Sequence, residues 1–400
     1  MESMEKGCKV AFLGFNLRAR AVSAKLRKAG VSVIWIVKPF DVKYENLGID
    51  VGKTYCMPWI SKQRRRRVSK LYALYVTLLY PLYVFLLVPL VDVNAIYIIG
   101  NSVRNPIILN LLVSFFKKVR KKVIYEVGDI PVIYEKEVRG KNIPEFIERI
   151  LLRNLFVSYT KTDLLIAGSL GGYDFARENC KKFGGCKKIL VSYYGADLRL
   201  FNRRISPYGI RQQYNLTDSF LIGWIGTGGN EKKVIPVVEA LSQHFKGKNI
   251  SFVIGGGVDY ERLKKIERST GVRIICLGRV SQDTSGKIYK ECDLIIVPLD
   301  FKKSFYHIAF STKIFEATAI GKPVVATVPK SNLEMVRNLL NVIIVDDQPQ
   351  SFVTAVQNVL EHYSKYGSIS KHLQSDVINR ISIQCSAEME VKHIIGLIEK

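Results

Sequence analysis

Short runs of β-branched and other apolar residues alternate with stretches whose apolar residues recur every three or four positions. This alternation is typical of βαβ units, in which helices connect parallel strands. It predicts strands at 9–15, 31–37, 95–99, 122–127, 164–167 and 189–192. The pattern begins again at Phe220 and predicts strands at 220–225, 250–254, 273–277, 294–298, 323–326 and 342–345. The sequence therefore predicts an α/β fold with two doubly wound, Rossmann-like domains facing a central cleft.

The same pattern divides the chain into domains. Residues 1–200 are predicted to form the first domain and residues 219–385 the second, joined by a polar linker at 201–218 that contains Pro207 and Gly209. A last helix over 386–400 is a candidate to pack back on the first domain. The other predicted helices are 19–29, 145–156, 231–244, 259–269, 285–291, 312–320, 332–340 and 350–363.

Charge and hydropathy narrow the possible partners. The 400 residues include 60 Lys and Arg against 35 Asp and Glu, a net charge of +25, yet the mean hydropathy is +0.09. A basic and apolar chain fits an anionic surface or a phosphorylated substrate better than nucleic acid. The seven cysteines form no CxxC pair, so we expect reduced thiols in a cytoplasmic protein and no metal site. Residues 1–7 are polar and are not expected to form a signal peptide.

Glycine-rich turns after predicted strands are candidates for binding phosphate. Gly226 begins a turn that lacks the last glycine of GxGxxG, and the turn containing Gly255 and Gly256 fails in the same way. The segment 48–54 is one residue short of a P-loop. These mismatches argue against a dinucleotide dehydrogenase and a P-loop NTPase. A ligand contact is favoured at Gly226, which precedes a predicted helix, whereas a simple turn and a ligand contact remain equal alternatives at 255–257.

A stronger candidate site lies at the start of the helix predicted at 312–320. Ser311 and Thr312 can cap this helix, and Lys313 adds a cation at its amino end, where helix amides favour an anion. Glu316 is one turn further on and can accept hydrogen bonds from two vicinal hydroxyls. The pattern suits a diphosphate beside a ribose. The alternative is a capped helix with a Lys–Glu pair on a solvated face.

An uncharged segment at 71–91 follows Arg64, Arg65, Arg66 and Arg67. It is long enough to cross a bilayer, but a crossing would split the first predicted sheet, and Pro81 and Pro89 interrupt a straight helix. We therefore expect an in-plane or re-entrant helix whose arginines contact anionic head groups. The alternative is a helix buried within the domain.

Several segments together resemble the GT-B retaining glycosyltransferases of group 1, the GT4-like type. The segment KIFEATAIGKPVVA at 313–326 resembles the donor-binding motif of that family. Five further segments resemble family motifs in the expected order, at 124–131, 162–169, 191–201, 221–240 and 277–293. The resemblance implies the GT-B fold and a nucleoside-diphosphate sugar as donor substrate, with no cofactor.

The resemblance also implies roles for individual residues. Lys313 and Lys232 would neutralise the donor diphosphate, Glu316 would hold the ribose, and Asp129 would lie on the acceptor side. The remaining implied or neighbouring donor-site candidates are Gly226, Thr227, Gly255, Gly256, Ser311, Thr312 and His307.

Three positions depart from the family pattern. Ile308 replaces the first glutamate of the EX7E motif, Thr227 an arginine, and Gly128 the histidine before Asp129. His307 is a candidate to replace the missing glutamate, and the alternative is a partly exposed loop histidine.

The sequence thus predicts a glycosyltransferase, a hexosyltransferase of polysaccharide or glycolipid biosynthesis. We expect it to lie on the cytoplasmic face of the cell membrane and to use a lipid-linked or other membrane-presented acceptor. Two alternatives stay open: a GT-B sugar-nucleotide epimerase or hydrolase, and a non-catalytic scaffold that binds a sugar nucleotide.

Overall fold

The computed structural model describes residues 7–37, 53–56, 79–100, 102–128, 130–226, 231–372 and 375–399. The chain divides into two compact units. The first unit contains Met1–Tyr193 and Ser386–Lys400, and the second contains Tyr194–Cys385.

In the described part of the first unit, seven parallel strands form one sheet in the order β3-β2-β1-β4-β5-β6-β7. The strands are β1 Lys9–Leu13, β2 Ser32–Val37, β3 Lys53–Cys56, β4 Ala95–Ile99, β5 Lys122–Val127, β6 Leu164–Ala167 and β7 Ile189–Val191. The α-helices are α1 Leu17–Lys28, α2 Tyr80–Leu87, α3 Pro106–Lys118, α4 Pro131–Ile133, α5 Glu145–Lys161 and α6 Leu170–Lys181. A 3₁₀ turn at Val88–Leu90 follows α2, and a π-helical turn at Tyr134–Val138 follows α4.

In the described part of the second unit, six parallel strands follow the order β10-β9-β8-β11-β12-β13. They are β8 Phe220–Gly226, β9 Ile250–Gly256, β10 Arg273–Cys276, β11 Leu294–Val297, β12 Val324–Thr327 and β13 Val342–Val345. The first helices are α7 Ile210–Gln213, α8 Glu231–His244, α9 Tyr260–Thr270, α10 Gln282–Glu291, α11 Phe305–Ile308 and α12 Thr312–Ile320. They are followed by a 3₁₀ turn at Lys330–Asn332, α13 Leu333–Arg337, α14 Pro349–Glu361, α15 Tyr363–His372 and α16 Ser375–Arg380. The last helix, α17 Ile383–Ile398, begins in the second unit and continues into the first.

The predicted α/β class with two doubly wound sheets is confirmed. Strand ends differ by one or two residues; β1, for example, ends at Leu13 because Gly14 has a φ of +88° and turns the chain. The sequence pattern missed α15 and the short helices α4, α7, α11 and α16. It also missed β3, α3 and α6. Each of these elements carries a weak pattern: β3 has four residues, α3 is apolar almost throughout, and α6 contains two glycines.

The carboxyl-terminal helix α17 is part of the first hydrophobic core. Ala387, Val391 and Ile394 recur at helical spacing and pack, fully or almost fully buried, with residues of α1, β1 and β4. This spacing gives α17 one apolar stripe directed at the sheet.

A buried charged network also ties α17 to the first unit. The Arg18 guanidinium of α1 forms an ion pair with Glu390 of α17, with Nε and Oε1 2.8 Å apart and both side chains fully buried. Ser192 and Tyr97 donate hydrogen bonds to the same carboxylate over 2.6 and 2.9 Å. Tyr97 also contacts Glu126 over 3.2 Å. The network offsets the cost of removing these charges from water.

The segment predicted as a linker, 201–218, belongs to the second unit in the structure. Phe201, Ile210 and Leu216 are buried. Arg211 donates hydrogen bonds to the Glu291 carbonyl and the Asp293 carboxylate. A polar segment with a proline and a glycine looks like a linker in sequence, yet three apolar residues and one arginine fix it to the second unit.

The uncharged segment at 71–91 is described from residue 79 onward. Pro81 lies in the first turn of α2, where proline is tolerated, and Pro89 lies in the 3₁₀ turn that ends the helix. The alternative of a wholly buried helix is wrong for α2, since Leu82, Phe85 and Leu86 are exposed. Across the ranges described above, none of the helices combines the length and the apolar character needed to span a bilayer. Arg64 to Arg67 lie outside the described residues.

Candidate donor site

The second sheet defines where a ligand is expected. Its strand order reverses between β8 and β11, and doubly wound sheets bind ligands beyond the carboxyl ends of their strands at such a point. β8 ends at Gly226, and β11 ends at Val297 and leads through α11 to α12. Gly226 and the segment 311–316 therefore come to the same edge of the sheet.

Packing at the ends of β8 and β9 leaves no space for a side chain at Gly226 or Gly256. Gly226 pairs with Gly256. A Cβ atom built on Gly256 would lie 1.7 Å from the Gly226 carbonyl oxygen, and one built on Gly226 would lie 2.5 Å from the Trp224 ring. Packing alone therefore accounts for glycine at 226 and 256. A contact of Gly226, Gly255 or Gly256 with a donor stays a prediction.

The amino end of α12 is open. Ser311 occupies the N-cap position in an extended conformation, as predicted, but its side chain makes no capping hydrogen bond. The Ser311 Oγ atom is buried and has no hydrogen-bonding partner among the described residues. Thr312 does not cap the helix either, because its side chain hydrogen-bonds to Glu316 instead. The Ile314 amide donates a hydrogen bond to the Ser311 carbonyl oxygen over 3.2 Å. The two amides before it have no capping side chain and thus remain available as donors to an anion.

Lys313 and Glu316 lie half-buried in the first two turns of α12. Burial lowers the pKa of the Lys313 ammonium, and the Glu316 carboxylate opposes this effect. Burial raises the pKa of Glu316, against the attraction of Lys313 and hydrogen bonds from Gln282 and Thr312. Within the described ranges, no carboxylate lies within 4 Å of the Lys313 ammonium. This pair therefore differs from an exposed i,i+3 ion pair, and its cation favours an incoming anion.

Helix α10 contacts both the end of β8 and α12. No sequence motif indicates these contacts. Gln282, at its first position, hydrogen-bonds to Glu316. Tyr289 is buried, and its hydroxyl donates a hydrogen bond to the Ile225 carbonyl oxygen over 3.4 Å. Burial and the nearby Glu316 carboxylate raise the pKa of the Tyr289 hydroxyl. Gln282 thus contacts the Glu316 carboxylate, and Tyr289 of the same helix contacts the end of β8 next to Gly226.

His307 is exposed and lies on the one-turn helix α11, not in a loop. One ring nitrogen is 2.9 Å from the Phe301 carbonyl oxygen, and the ring stacks on the Phe301 ring with centroids 5.3 Å apart. These contacts fix the imidazole locally. The role of His307 in place of the glutamate missing at Ile308 stays a prediction.

Several predicted site residues lie outside the described part of the chain. These are Asp129 and Thr227, together with the side chain of Lys232. Lys233 is described, and its ammonium lies 3.1 Å from the Asp347 carboxylate and 3.9 Å from that of Asp300. Because Lys233 is already neutralised by two carboxylates, it is a poor replacement for Lys232 as a phosphate ligand.

In the first unit, different residues lie at the carboxyl ends of the corresponding strands. Gly100 follows β4, and a Cβ atom there would lie 2.5 Å from the Glu126 carbonyl oxygen and 2.7 Å from the Gly128 nitrogen. Asn16 hydrogen-bonds to the Glu126 carboxylate over 2.8 Å. Among the described residues no group of three or more His, Cys, Asp or Glu side chains is arranged to hold a metal ion.

The sequence of this chain is similar to those of known glycosyltransferases. Residues 219–362, most of the second unit, match the family model described as "Glycosyl transferases group 1". "Uncharacterized glycosyltransferase MJ1607" from Methanocaldococcus jannaschii is 26% identical over 203 residues, which cover 49% of this chain and 50% of that protein. The aligned part thus spans half the length of this relative.

Solved structures match nearly the whole chain. Anabaena Alr3699/HepE, solved in complex with UDP and glucose, has a TM-score of 0.68 at 17% identity and covers 98% of this chain and 100% of its own. Sucrose-phosphate synthase from Thermosynechococcus elongatus has a TM-score of 0.70 at 15% identity, with the same coverage. The chain therefore has the GT-B fold. Over residues 219–362, its second unit is similar to the group 1 glycosyltransferases.

Proposed function

We propose that this protein is a retaining glycosyltransferase that moves a sugar from a nucleoside-diphosphate sugar to a lipid-linked acceptor. The observation that carries the proposal is the open amino end of α12. There the uncapped amides, the unpartnered Ser311 Oγ and the half-buried Lys313 ammonium lie together. This combination supplies donors and positive charge for a diphosphate.

Glu316 completes the nucleotide half of the site. Gln282 and Thr312 fix its carboxylate, which is expected to accept hydrogen bonds from the two vicinal ribose hydroxyls. With the ribose held by Glu316, binding of the nucleoside does not depend on the residues Ile308, Thr227 and Gly128, which depart from the family pattern. Those positions are expected to influence how the sugar is held and which sugar is used.

The chemistry follows from where charge develops. As the bond between the sugar C1 and the β-phosphate oxygen breaks, negative charge grows on the diphosphate, and Lys313 and the α12 amides stabilise it there. The acceptor hydroxyl attacks C1 from the same face, and a phosphate oxygen takes its proton. A new C1–oxygen bond thus replaces the old one with retained configuration, without a protein nucleophile.

A thermal-shift panel of UDP-, GDP- and ADP-sugars tests the donor site. One nucleotide class should raise the melting temperature of the parent protein, because a ligand that binds only the folded state stabilises it, by about 2.7 kcal/mol at 100 times its Kd. Lys313→Ala should abolish this shift. Lys248→Ala, which removes an exposed lysine before β9 at the opposite edge of the sheet, should retain it.

The reaction itself is tested with the stabilising donor and extracted membrane lipids. We expect labelled sugar on a lipid product, and Lys313→Ala should reduce kcat/KM by about 10²–10³-fold, the usual cost of removing one donor to a developing oxyanion. Sugar released only to water, or epimerised on the donor, would contradict transfer and favour the hydrolase or epimerase alternative. Donor binding with no turnover would favour a scaffold.

A further inference from the structure

The exposed side of α2 is apolar, which is unusual for a helix at a protein surface. Tyr80, Pro81 and Val84 bury one side of the helix, and the Tyr80 hydroxyl donates a hydrogen bond to the Ile36 carbonyl oxygen over 2.8 Å. The opposite side exposes Leu82, Phe85 and Leu86, the last at 60% of its surface. A helix on a water-exposed surface normally turns polar residues outward. The exposed apolar side chains of α2 therefore indicate that this side of the helix contacts an apolar partner.

Two neighbouring helices extend this surface. On α3 the side chain of Leu111 is 64% exposed, and on α5 Phe146 is 65% exposed and Ile150 is 48% exposed. The ring centroids of Phe85 and Phe115 are 4.1 Å apart and join α2 to α3. We call the exposed side chains of Leu82, Phe85, Leu86, Leu111, Phe146 and Ile150 the apolar face.

The third helix, α5, is joined to α3 by polar contacts. Asn110 of α3 donates a hydrogen bond to Asn154 of α5 over 3.0 Å, and Lys161 of α5 contacts Ser114 of α3 over 2.8 Å. These contacts make α3 and α5 parallel neighbours. Exposed apolar side chains grouped on neighbouring helices mark an interaction site in soluble proteins.

Cations accompany the apolar face. Lys118 lies two turns beyond Leu111 on α3, and Arg153 lies one turn beyond Ile150 on α5; both are exposed. α2 and α3 contain no acidic residue. The first-turn acids of α5 are already paired, Glu145 with Arg149 and Glu148 with Lys136. The charge left over around this surface is therefore positive.

We propose that the apolar face and its cations, Lys118 and Arg153, rest on an anionic lipid bilayer. Leucine and phenylalanine side chains enter the boundary between head groups and acyl chains, while lysine and arginine contact lipid phosphates. The sequence supports the same occupant, since the uncharged segment 71–91 contains α2 and follows four consecutive arginines. A second copy of this chain is a poorer partner, because a two-fold contact through this surface would bring the cations of both copies into one interface with no acidic residue on α2 or α3 to pair with them.

This surface also reaches the edge of the sheet where an acceptor is expected. α3 begins directly after β4, so its first turn lies at the carboxyl edge of the strands, and the parallel helix α5 begins at the same edge with Phe146. A bilayer bound here would present a lipid-linked acceptor beside that edge. This last step rests on the proposed function; the bilayer contact does not.

Sedimentation of the full chain with vesicles tests the proposal. The parent should bind vesicles containing about one third anionic lipid at least tenfold more tightly than neutral vesicles, because each basic residue near an anionic surface contributes about fivefold in affinity. L111Q/F146Q should lose tenfold or more. The matched control is Leu340→Gln, a leucine of the second unit that is 68% exposed, and it should bind like the parent.

A second pair of variants separates charge from folding. K118Q/R153Q leaves every apolar side chain in place and should weaken binding to anionic vesicles about tenfold or more, with K248Q/R268Q in the second unit as the control. Equal binding of L111Q/F146Q and Leu340→Gln would overturn the proposal. So would a concentration-dependent dimer, seen without lipid, that L111Q/F146Q abolishes. Lys313→Ala should lose the nucleotide-induced thermal shift and still bind vesicles, so that failure of the donor site and of the bilayer contact give different results.

Discussion

The helix that precedes the fifth strand along the chain begins differently in the two units. In the first unit, α3 has Pro106 at its start, and the Asn105 side chain accepts hydrogen bonds from the amides of Ile107 and Ile108 over 3.0 and 3.4 Å. In the second unit, α12 has no side-chain cap and carries Lys313 in its first turn. The same topology thus gives one closed helix end and one open helix end, and only the open end has amides free for an anion.

The two units also differ in how they compensate buried charge. Arg18 has the Glu390 carboxylate at 2.8 Å, and the hydroxyls of Ser192 and Tyr97 donate hydrogen bonds to that carboxylate. Lys313 has no carboxylate within 4 Å in the described ranges, and burial lowers its pKa. The first unit therefore uses buried charge to hold its own last helix. The second unit leaves a cation that a ligand can satisfy.

The largest expected effect comes from breaking the compensated network. Glu390→Ala leaves the Arg18 guanidinium buried without its partner, which typically costs about 3–5 kcal/mol. Hydrogen exchange of the β1 and β4 amides should accelerate accordingly, whereas that of the β8 amides should change little. Glu388→Ala on the same helix is the control, since its ion pair with Lys25 is exposed and such pairs contribute about 1 kcal/mol or less. Equal acceleration in both variants would contradict the role given to Glu390.

Replacing Lys313 should change the unfolding free energy in the opposite direction. Because the folded-state pKa of Lys313 is lowered, its charge disfavours folding at neutral pH, and this penalty disappears as pH rises above the ordinary lysine pKa. Lys313→Met should therefore raise the unfolding free energy of the ligand-free protein at pH 7, by about 0.5–2 kcal/mol, while it abolishes stabilisation by the donor. Urea unfolding between pH 7 and pH 10.5 checks both the gain and its decline. A ligand-free Lys313→Met protein less stable than the parent at pH 7 would show that the ammonium is already satisfied.

The sequence predicted most of the long helices and every described strand except β3, and it predicted the site only where a motif is local. The bounds of α8 and α12 were predicted to the residue, since helical period and flanking signals lie within the segment itself. The sequence could not predict that the Ser311 side chain leaves α12 uncapped, because a serine at this position can turn its hydroxyl toward or away from the helix amides. Gln282 and Tyr289 lie far from Glu316 in sequence, and only the folded sheet brings them to it.

The smallest effects are expected from substitutions at the amino ends of α3 and α12. Asn105→Ala should destabilise the first unit by about 1 kcal/mol through the lost cap and leave the donor-induced thermal shift unchanged. Ser311→Asp should do the reverse at α12: a carboxylate at an uncapped helix start stabilises the ligand-free protein by about 0.5–1 kcal/mol and competes with the donor diphosphate for the same amides. Thermal unfolding with and without donor measures both quantities. If Ser311→Asp stabilised the protein but left the donor-induced shift intact, the diphosphate would have to bind elsewhere than the open end of α12.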